Sequence, residues 1–326
     1  MRAFVPIVAS LAIIFAVDAA GAGTPKKASA PDLPDITAWG SVSDGFVEIS
    51  IMRFTKAEDK AMSRLTRQDA AADRASASET RVRIRIPAGS ASLPGVYQNL
   101  RTATLVTSKG VKKVTVKFFM AQEREIGTIL DIYTSVPKGL GAEDVLFPDQ
   151  TRPYPGGSLV PVQPQHPSDV ALKSLRKQLV RKARGTHMSR IVIKYLKKLQ
   201  AKNVAYTVGR FPSPHRKLVT MAIEVDDEVN DEGDHFNDFN IVSALFLVDD
   251  KYKVTAWLEA PGGGWNQSEV LYLVDVDANG EDEFVLYSDG IEHSSLRLGQ
   301  IRRKPVRTRG NERSWVRWEF LTASGL

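Results

Sequence analysis

The sequence predicts a mainly β protein, α+β overall, with an N-terminal β-sandwich-like domain and a C-terminal antiparallel sheet domain entered by two helices. Apolar and polar residues alternate from about residue 36 to 137 and again after residue 204, which is the period of half-buried strands. After Ser168 the apolar period becomes helical. Between these regions, residues 148–167 contain six prolines, a composition that resists both helix and sheet.

The first 22 residues have the order of a removable export signal. Arg2 gives a positive end, residues 4–17 form an apolar middle, and Ala20 and Ala22 stand in the A-x-A relation that signal peptidases accept. The apolar stretch is shorter than the ~20 residues that a membrane-spanning helix needs. We therefore expect cleavage after Ala22, with Ala19 as the alternative, no transmembrane segment in the mature chain, and a periplasmic or secreted location.

A short tether and a β-rich domain are predicted to follow the signal. Residues 23–35 are mostly small, with lysine and proline among them, as in exposed tethers. The β-rich domain is predicted over 36–147, with turns at Gly89-Ser90 and at Ser108 to Gly110. Inside it, 56–78 is rich in Ala, Arg, Asp and Ser, which favours either a solvated helix or a mobile insertion.

The proline-rich segment 148–167 is predicted to be a linker to an α+β domain over 168–326. Two helices joined at Gly185 open this domain, because apolar residues recur at helical spacing on both sides of that glycine. The first stripe is Leu172, Leu175, Leu179 and Ala183, and the second is Met188, Ile191, Val192, Tyr195 and Leu199. The alternation after residue 204 predicts an antiparallel sheet.

The composition excludes several classes of protein. None of the 326 residues is cysteine, which excludes a disulfide framework, a thiolate metal site, a thiol nucleophile and the acylated cysteine of bacterial lipoproteins. Hydrophobic residues make up 43% and charged residues 25% of the chain, as in ordinary globular proteins, so disorder of the whole chain is excluded.

An acidic segment between two apolar runs has the spacing of a calcium loop. Its members are Asp275, Asp277, Asn279, Gly280, Glu281, Asp282 and Glu283. Oxygen side chains at positions one, three and five can converge on one hard cation, while a glycine at six lets the backbone turn sharply. We expect side-chain oxygens from the first three, the backbone carbonyl of Glu281 and the carboxylate of Glu283. An EF-hand is excluded, because Leu286 stands where its glutamate would be.

This segment resembles the loop of FG-GAP and VCBS-type repeats, in which D-x-D-x-D-G-x-x-[DE] links two strands of a propeller blade. The resemblance covers about thirty residues, from Glu269 to Ile301. It implies calcium held for rigidity, often in adhesion or polymer-binding proteins, without catalysis at the loop. The alternative is a plain hairpin turn, which Asn279-Gly280 would satisfy without a metal.

The distribution of charge suggests a second function. Residues 170–217 contain fourteen Lys or Arg and no acid, whereas residues 224–250 contain ten acids and no Lys or Arg. The basic segment is either an ordinary solvated face or a binder of anionic polymer or of an envelope surface. We expect no nucleic acid as partner, because export argues against it.

The acidic segment around His235 suggests a third function. A histidine among carboxylates could ligate a metal or act as a base, as in a metal-dependent hydrolase, or the segment could be a polar loop. Its members are Asp226, Asp227, Glu228, Asp231, Glu232, Asp234, His235 and Asp238. The H-E-x-x-H, G-x-S-x-G and Walker A patterns are absent from the sequence. The leading expectation is therefore an exported, non-enzymatic binding or structural module with a calcium-stabilised loop.

Overall fold

The computed structural model describes most of the chain from Ile36 onward. The described residues are 36–51, 60, 64, 83–93, 95–124, 127–141, 143–184, 189–225, 241–264, 266–289, 293–307 and 313–325. The predicted signal over 1–22, the tether over 23–35 and nearly all of segment 56–78 lie outside them. Among the described residues, no helix has the length and apolar character needed to cross a membrane.

Seven antiparallel strands form the first sheet. They are β1 (Ile36–Ser43), β2 (Phe46–Ile51), β3 (Arg83–Pro87), β4 (Thr102–Thr107), β5 (Gly110–Arg124), β6 (Gly127–Ser135) and β7 (Asp144–Pro148). Their order is β3-β5-β4-β7-β1-β2-β6, and β5 also pairs with β6, so the sheet closes on itself. Asp44 and Gly45 join β1 to β2 with φ of 48° and 79°, the signature of a primed hairpin turn.

The first sheet encloses one apolar core, and a bulge decides which residues of β5 enter it. Val114 and Val116 are buried in the core, as is Phe119. The pairing of β5 with β6 shifts between Val116 and Phe118, which turns Phe118 out of this core. Its ring stacks on Tyr133 instead, with centroids 4.5 Å apart.

Two helices follow the proline-rich segment, α1 (Asp169–Ala183) and α2 (Ser189–Lys197). Ser168 caps α1 by accepting a hydrogen bond from the backbone N–H of Ala171, which satisfies one otherwise unpaired donor of the first turn. The predicted apolar stripe of α1 is buried in full: Leu172, Leu175, Leu179 and Ala183. The two predicted entry helices are therefore confirmed.

Two further antiparallel sheets complete the fold. The second sheet, in the order β12-β11-β10-β9, contains β9 (Val204–Val208), β10 (Lys217–Glu224), β11 (Ile241–Val248) and β12 (Val254–Gly264). The third sheet, in the order β16-β15-β14-β13-β8, contains β8 (Val160–Pro161), β13 (Gln267–Val274), β14 (Glu283–Asp289), β15 (His293–Arg307) and β16 (Arg313–Gly325). The mainly β, α+β class predicted from the sequence is confirmed.

Alternating side chains join these elements into layers. On β10, Val219 packs with the helices, whereas Leu218 packs against the third sheet. On β14, Phe284 faces the second sheet, whereas Val285 packs with Trp39 of the first sheet. The order of layers is thus helices, second sheet, third sheet, first sheet.

The proline-rich segment belongs to this packing. It contributes β8, which pairs with β13, and Leu159 is buried beside the third sheet. Residues Leu33–Leu326 form one compact unit. The boundary over 148–167 between two separate domains, 36–147 and 168–326, stays a prediction.

Candidate metal centre

The predicted calcium loop connects β13 to β14, which pair up to Val274 and Glu283. Its backbone enters the left-handed region twice, at Ala278 with φ of 56° and at Gly280 with φ of 83°. Glycine adopts this conformation without a steric cost, whereas alanine does so rarely. The sharp turn predicted at Gly280 is therefore present.

Asp275 organises the loop. Its Oδ1 accepts a hydrogen bond from the backbone N–H of Asn279 (3.0 Å), and its Oδ2 accepts one from Gly280 (2.9 Å). Asp277 Oδ1 accepts a second, longer hydrogen bond from Asn279 N–H (3.2 Å). Both carboxylates therefore face the inside of the loop.

Three carboxylates converge at this point. One oxygen each of Asp275, Asp277 and Glu283 lies within 4.8 Å of the other two. Asp275 and Asp277 come from the start of the loop, and Glu283 is the first residue of β14. The structure thus brings together three of the five predicted ligands.

Glu283 is the unusual member of this cluster, because its side chain is only 1% exposed. Its Oε2 accepts a hydrogen bond from Val276 N–H (2.9 Å), and its Oε1 accepts one from Gln300 Nε2 (3.1 Å). Burial, together with the charges of Asp277 and Asp275, raises the pKa of Glu283 to about 7, although the two hydrogen bonds act in the opposite direction. A positive group bound near Glu283 would lower this pKa.

The other two predicted ligands lie at the rim of the cluster. The side-chain amide of Asn279 donates to Asp277 Oδ2 (2.9 Å), and its oxygen accepts a hydrogen bond from Glu281 N–H (2.6 Å). The Glu281 side chain pairs instead with Arg303, with Oε1 2.6 Å from Nη2. The roles of the Asn279 oxygen and the Glu281 carbonyl as ligands stay predictions.

A scan of protein-family models and searches of curated proteins and solved structures found no significant match to this chain.

Arg210, in the connection between β9 and β10, holds the loop from one side. Its guanidinium donates to Asp282 Oδ1 from Nε (3.0 Å) and from Nη2 (2.5 Å), and its backbone N–H donates to Asp282 Oδ2 (2.7 Å). In return, Asp282 N–H donates to the carbonyl of Arg210 (3.0 Å). The sequence carries no local signal of this pair, because its members lie 72 positions apart.

The proline-rich segment holds the loop from the other side. Gly157 N–H donates to the backbone carbonyl of Asp275 (2.8 Å), and Gly156 approaches the same carbonyl so closely that no Cβ could fit there. Burial, and then the charges of Glu283, Asp275 and Asp277, raise the pKa of Tyr154. Tyr154 therefore remains a neutral phenol beside the acidic cluster.

The donor set suits a hard divalent cation. Three carboxylates supply only oxygen ligands, which calcium prefers. Arg210 contributes a positive charge beside the cluster, with Nη2 3.8 Å from Asp275 Oδ2. Because the Arg210 side chain is 63% exposed, solvent screens much of its effect on the carboxylates.

The second acidic segment, which includes His235, lies outside the described residues, as does the whole stretch 226–240. The hydrolase hypothesis that rests on it stays a prediction. The basic segment 170–217 is described except at 185–188 and consists of α1, α2, β9 and the start of β10.

Proposed function

We propose that this protein is an exported, non-enzymatic binding or structural module in which calcium stabilises the loop from Asp275 to Glu283. The observation that supports this proposal most strongly is the convergence of the Asp275, Asp277 and Glu283 carboxylates within 4.8 Å. A hairpin turn needs one such side chain to cap its backbone, and the other two carboxylates raise the electrostatic energy of the calcium-free loop.

Calcium would act here as a structural ion. The loop joins β13 to β14, binds the β9–β10 connection through Arg210 and Asp282, and binds the proline-rich segment through Gly157. A cation that fixes Asp275 and Glu283 therefore orders the meeting point of three segments that are distant in sequence. Its contribution is stability of this junction rather than chemistry.

Export fits this function. Extracellular calcium modules bind with dissociation constants of about 10⁻⁴ to 10⁻³ M, because calcium is abundant outside the cytoplasm. The signal-like first 22 residues would place the loop in that environment. A calcium site of this low affinity would then be occupied at the calcium concentration found outside the cytoplasm.

Thermal unfolding with and without calcium tests this proposal. At calcium about twentyfold above the dissociation constant, the free energy of unfolding rises by about 2 kcal/mol, which corresponds to about 3 °C in Tm for a protein of this size. Asp277→Asn removes one ligand charge and is expected to abolish the shift. Glu281→Gln is the matched control, because it changes the same charge in the same loop but keeps the backbone carbonyl.

Two results would contradict the proposal. One is a Tm of the wild-type protein that does not respond to calcium. The other is a calcium-dependent shift that Asp277→Asn leaves unchanged. Magnesium in place of calcium provides a specificity control, since magnesium demands a stricter octahedral geometry and gives up its waters reluctantly.

A further inference from the structure

The outward face of the helical layer is strongly basic. On α1 and its C-cap residue Arg184, the exposed side chains Lys173, Lys177, Arg181 and Arg184 follow one another at intervals of four, four and three residues, so they lie on one side of the helix. At about 1.5 Å per residue, this stripe is about 16 Å long. It lies opposite the buried stripe that begins at Leu172.

The neighbouring helix repeats the pattern. On α2 the exposed residues Arg190, Lys194 and Lys197 are spaced by four and three. Both helices pack on the same face of the second sheet, and Arg176 Nη2 of α1 donates to the carbonyl of Leu199 just after α2 (2.5 Å). The two basic stripes therefore face the same direction, side by side.

The charges of the α1 stripe are poorly neutralised locally. Asp169 is the only acidic residue in the sequence of either helix. Within the described part of the chain, no ion pair engages Lys173, Lys177, Arg181 or Arg184. The electrostatic potential of the stripe therefore extends into solvent.

We propose that this helical face binds the surface of an anionic lipid bilayer, a function beyond the calcium loop. The two adjacent stripes form one broad positively charged face, which is complementary to the extended negative surface of such a bilayer. On the described parts of α1 and α2, Val170 is the only large apolar side chain that is strongly exposed. With so little apolar surface to insert, binding depends on the attraction of Lys and Arg to anionic headgroups and falls off within a Debye length.

Co-sedimentation of the purified protein with vesicles tests the proposal. The vesicles contain about one-third phosphatidylglycerol in phosphatidylcholine, and pure phosphatidylcholine serves as the neutral comparison. We expect binding to the anionic vesicles only, with at least a tenfold loss between about 0.05 and 0.5 M salt.

Two variants with equal charge change locate the binding face. The first replaces Lys173, Lys177, Arg181 and Arg184 with glutamine, a good helix former, and is expected to lower vesicle binding about tenfold or more. The second replaces Lys113, Lys117, Lys251 and Lys304 with glutamine; all four are exposed and lie outside the helices. Its vesicle binding is expected to stay within about threefold of the wild-type value. Circular dichroism establishes that both variants are folded.

Three results would overturn the proposal. Equal losses in both variants would show that net charge alone drives binding. Binding that does not respond to salt would exclude an electrostatic surface contact. Retention on heparin without binding to vesicles would assign the face to a soluble anionic polymer.

Discussion

Two connections between antiparallel strands have similar backbones but differ in the number of carboxylates that surround their first aspartate. The β11–β12 turn begins at Asp249, and the β13–β14 loop begins at Asp275. In each, two backbone N–H groups donate to the first aspartate. The donors are Lys251 and Lys253 for Asp249, and Asn279 and Gly280 for Asp275. Each also has a non-glycine residue at positive φ, Tyr252 at 58° and Ala278 at 56°.

The difference lies in what surrounds the first aspartate. Beside Asp249 stands Asp250, whose side chain is 80% exposed and lies 3.7 Å from Arg216. Beside Asp275 stand Asp277 and the buried Glu283. One aspartate is enough to close a turn of this kind, so the additional carboxylates of the longer loop need another explanation. Cation binding is the one that we propose.

The largest expected effect concerns the contact between the longer loop and the proline-rich segment. A Cβ at Gly156 would meet the Asp275 carbonyl, the Val276 carbonyl at 2.6 Å and the Tyr154 hydroxyl at 2.5 Å. Because two of these atoms are backbone, we expect Gly156→Ala to lower the free energy of unfolding by about 3 kcal/mol, measured by urea denaturation. At Gly157 the nearest atom is 3.9 Å away.

Gly157→Ala is therefore the matched control and is expected to change stability by less than about 1 kcal/mol. Equal stabilities of the two alanine variants would contradict the close contact of Gly156 with the carbonyls of Asp275 and Val276.

The second prediction concerns the pH dependence of the calcium-free protein. The folded pKa of Glu283 is about 7, above its ordinary value of 4.5, so between these values the folded state binds more protons than the unfolded state. Stability contributed by this group is full below about 4.5 and is lost as the pH rises through 7. Glu283→Gln is expected to remove this loss and to stabilise the calcium-free protein at pH 8 by about 2 kcal/mol.

Urea denaturation from pH 5 to 8 in the presence of a chelator measures this effect. Calcium is expected to close this gap between the two proteins, because it stabilises the ionised wild-type site and not the glutamine variant. A stability difference between the wild-type protein and Glu283→Gln that does not change between pH 5 and 8 without calcium would contradict the buried, proton-binding state of Glu283.

The smallest expected effect is in the short turn. Asp249→Ala removes the acceptor for two backbone N–H groups, at a cost of about 1 kcal/mol. This loss should be the same with calcium and with chelator, since no acidic cluster accompanies Asp249 in the described structure. Thermal unfolding in both conditions measures it, and a calcium-dependent loss would mean that the two connections do not differ as described.

The fold was predictable where the burial pattern is local. The stripe from Leu172 to Ala183 predicted α1, because helical spacing alone decides which side chains are buried. The alternation of apolar residues predicted the strands of this region. It could not show that Phe118, although buried, packs on Tyr133 instead of in the core of the first sheet. A bulge reverses the alternation after Val116, and a bulge depends on pairing with another strand rather than on sequence period.

The candidate site was predictable in part for the same reason. The spacing of Asp275, Asp277 and Glu283 is local, and the structure brings these three together. Tyr154 and Arg210, by contrast, approach the loop from other parts of the chain. Their contacts with the loop result from the packing of β8 and of the β9–β10 connection. The sequence of the loop itself therefore could not predict them.

Isothermal titration with calcium tests the central claim most directly. We expect one calcium per chain, with a dissociation constant of about 10⁻³ M or lower, for the wild-type protein and for the short-turn variant Asp249→Asn. We expect no measurable binding for Asp277→Asn. The absence of binding to the wild-type protein, or equal binding by Asp277→Asn, would contradict a calcium site in the β13–β14 loop.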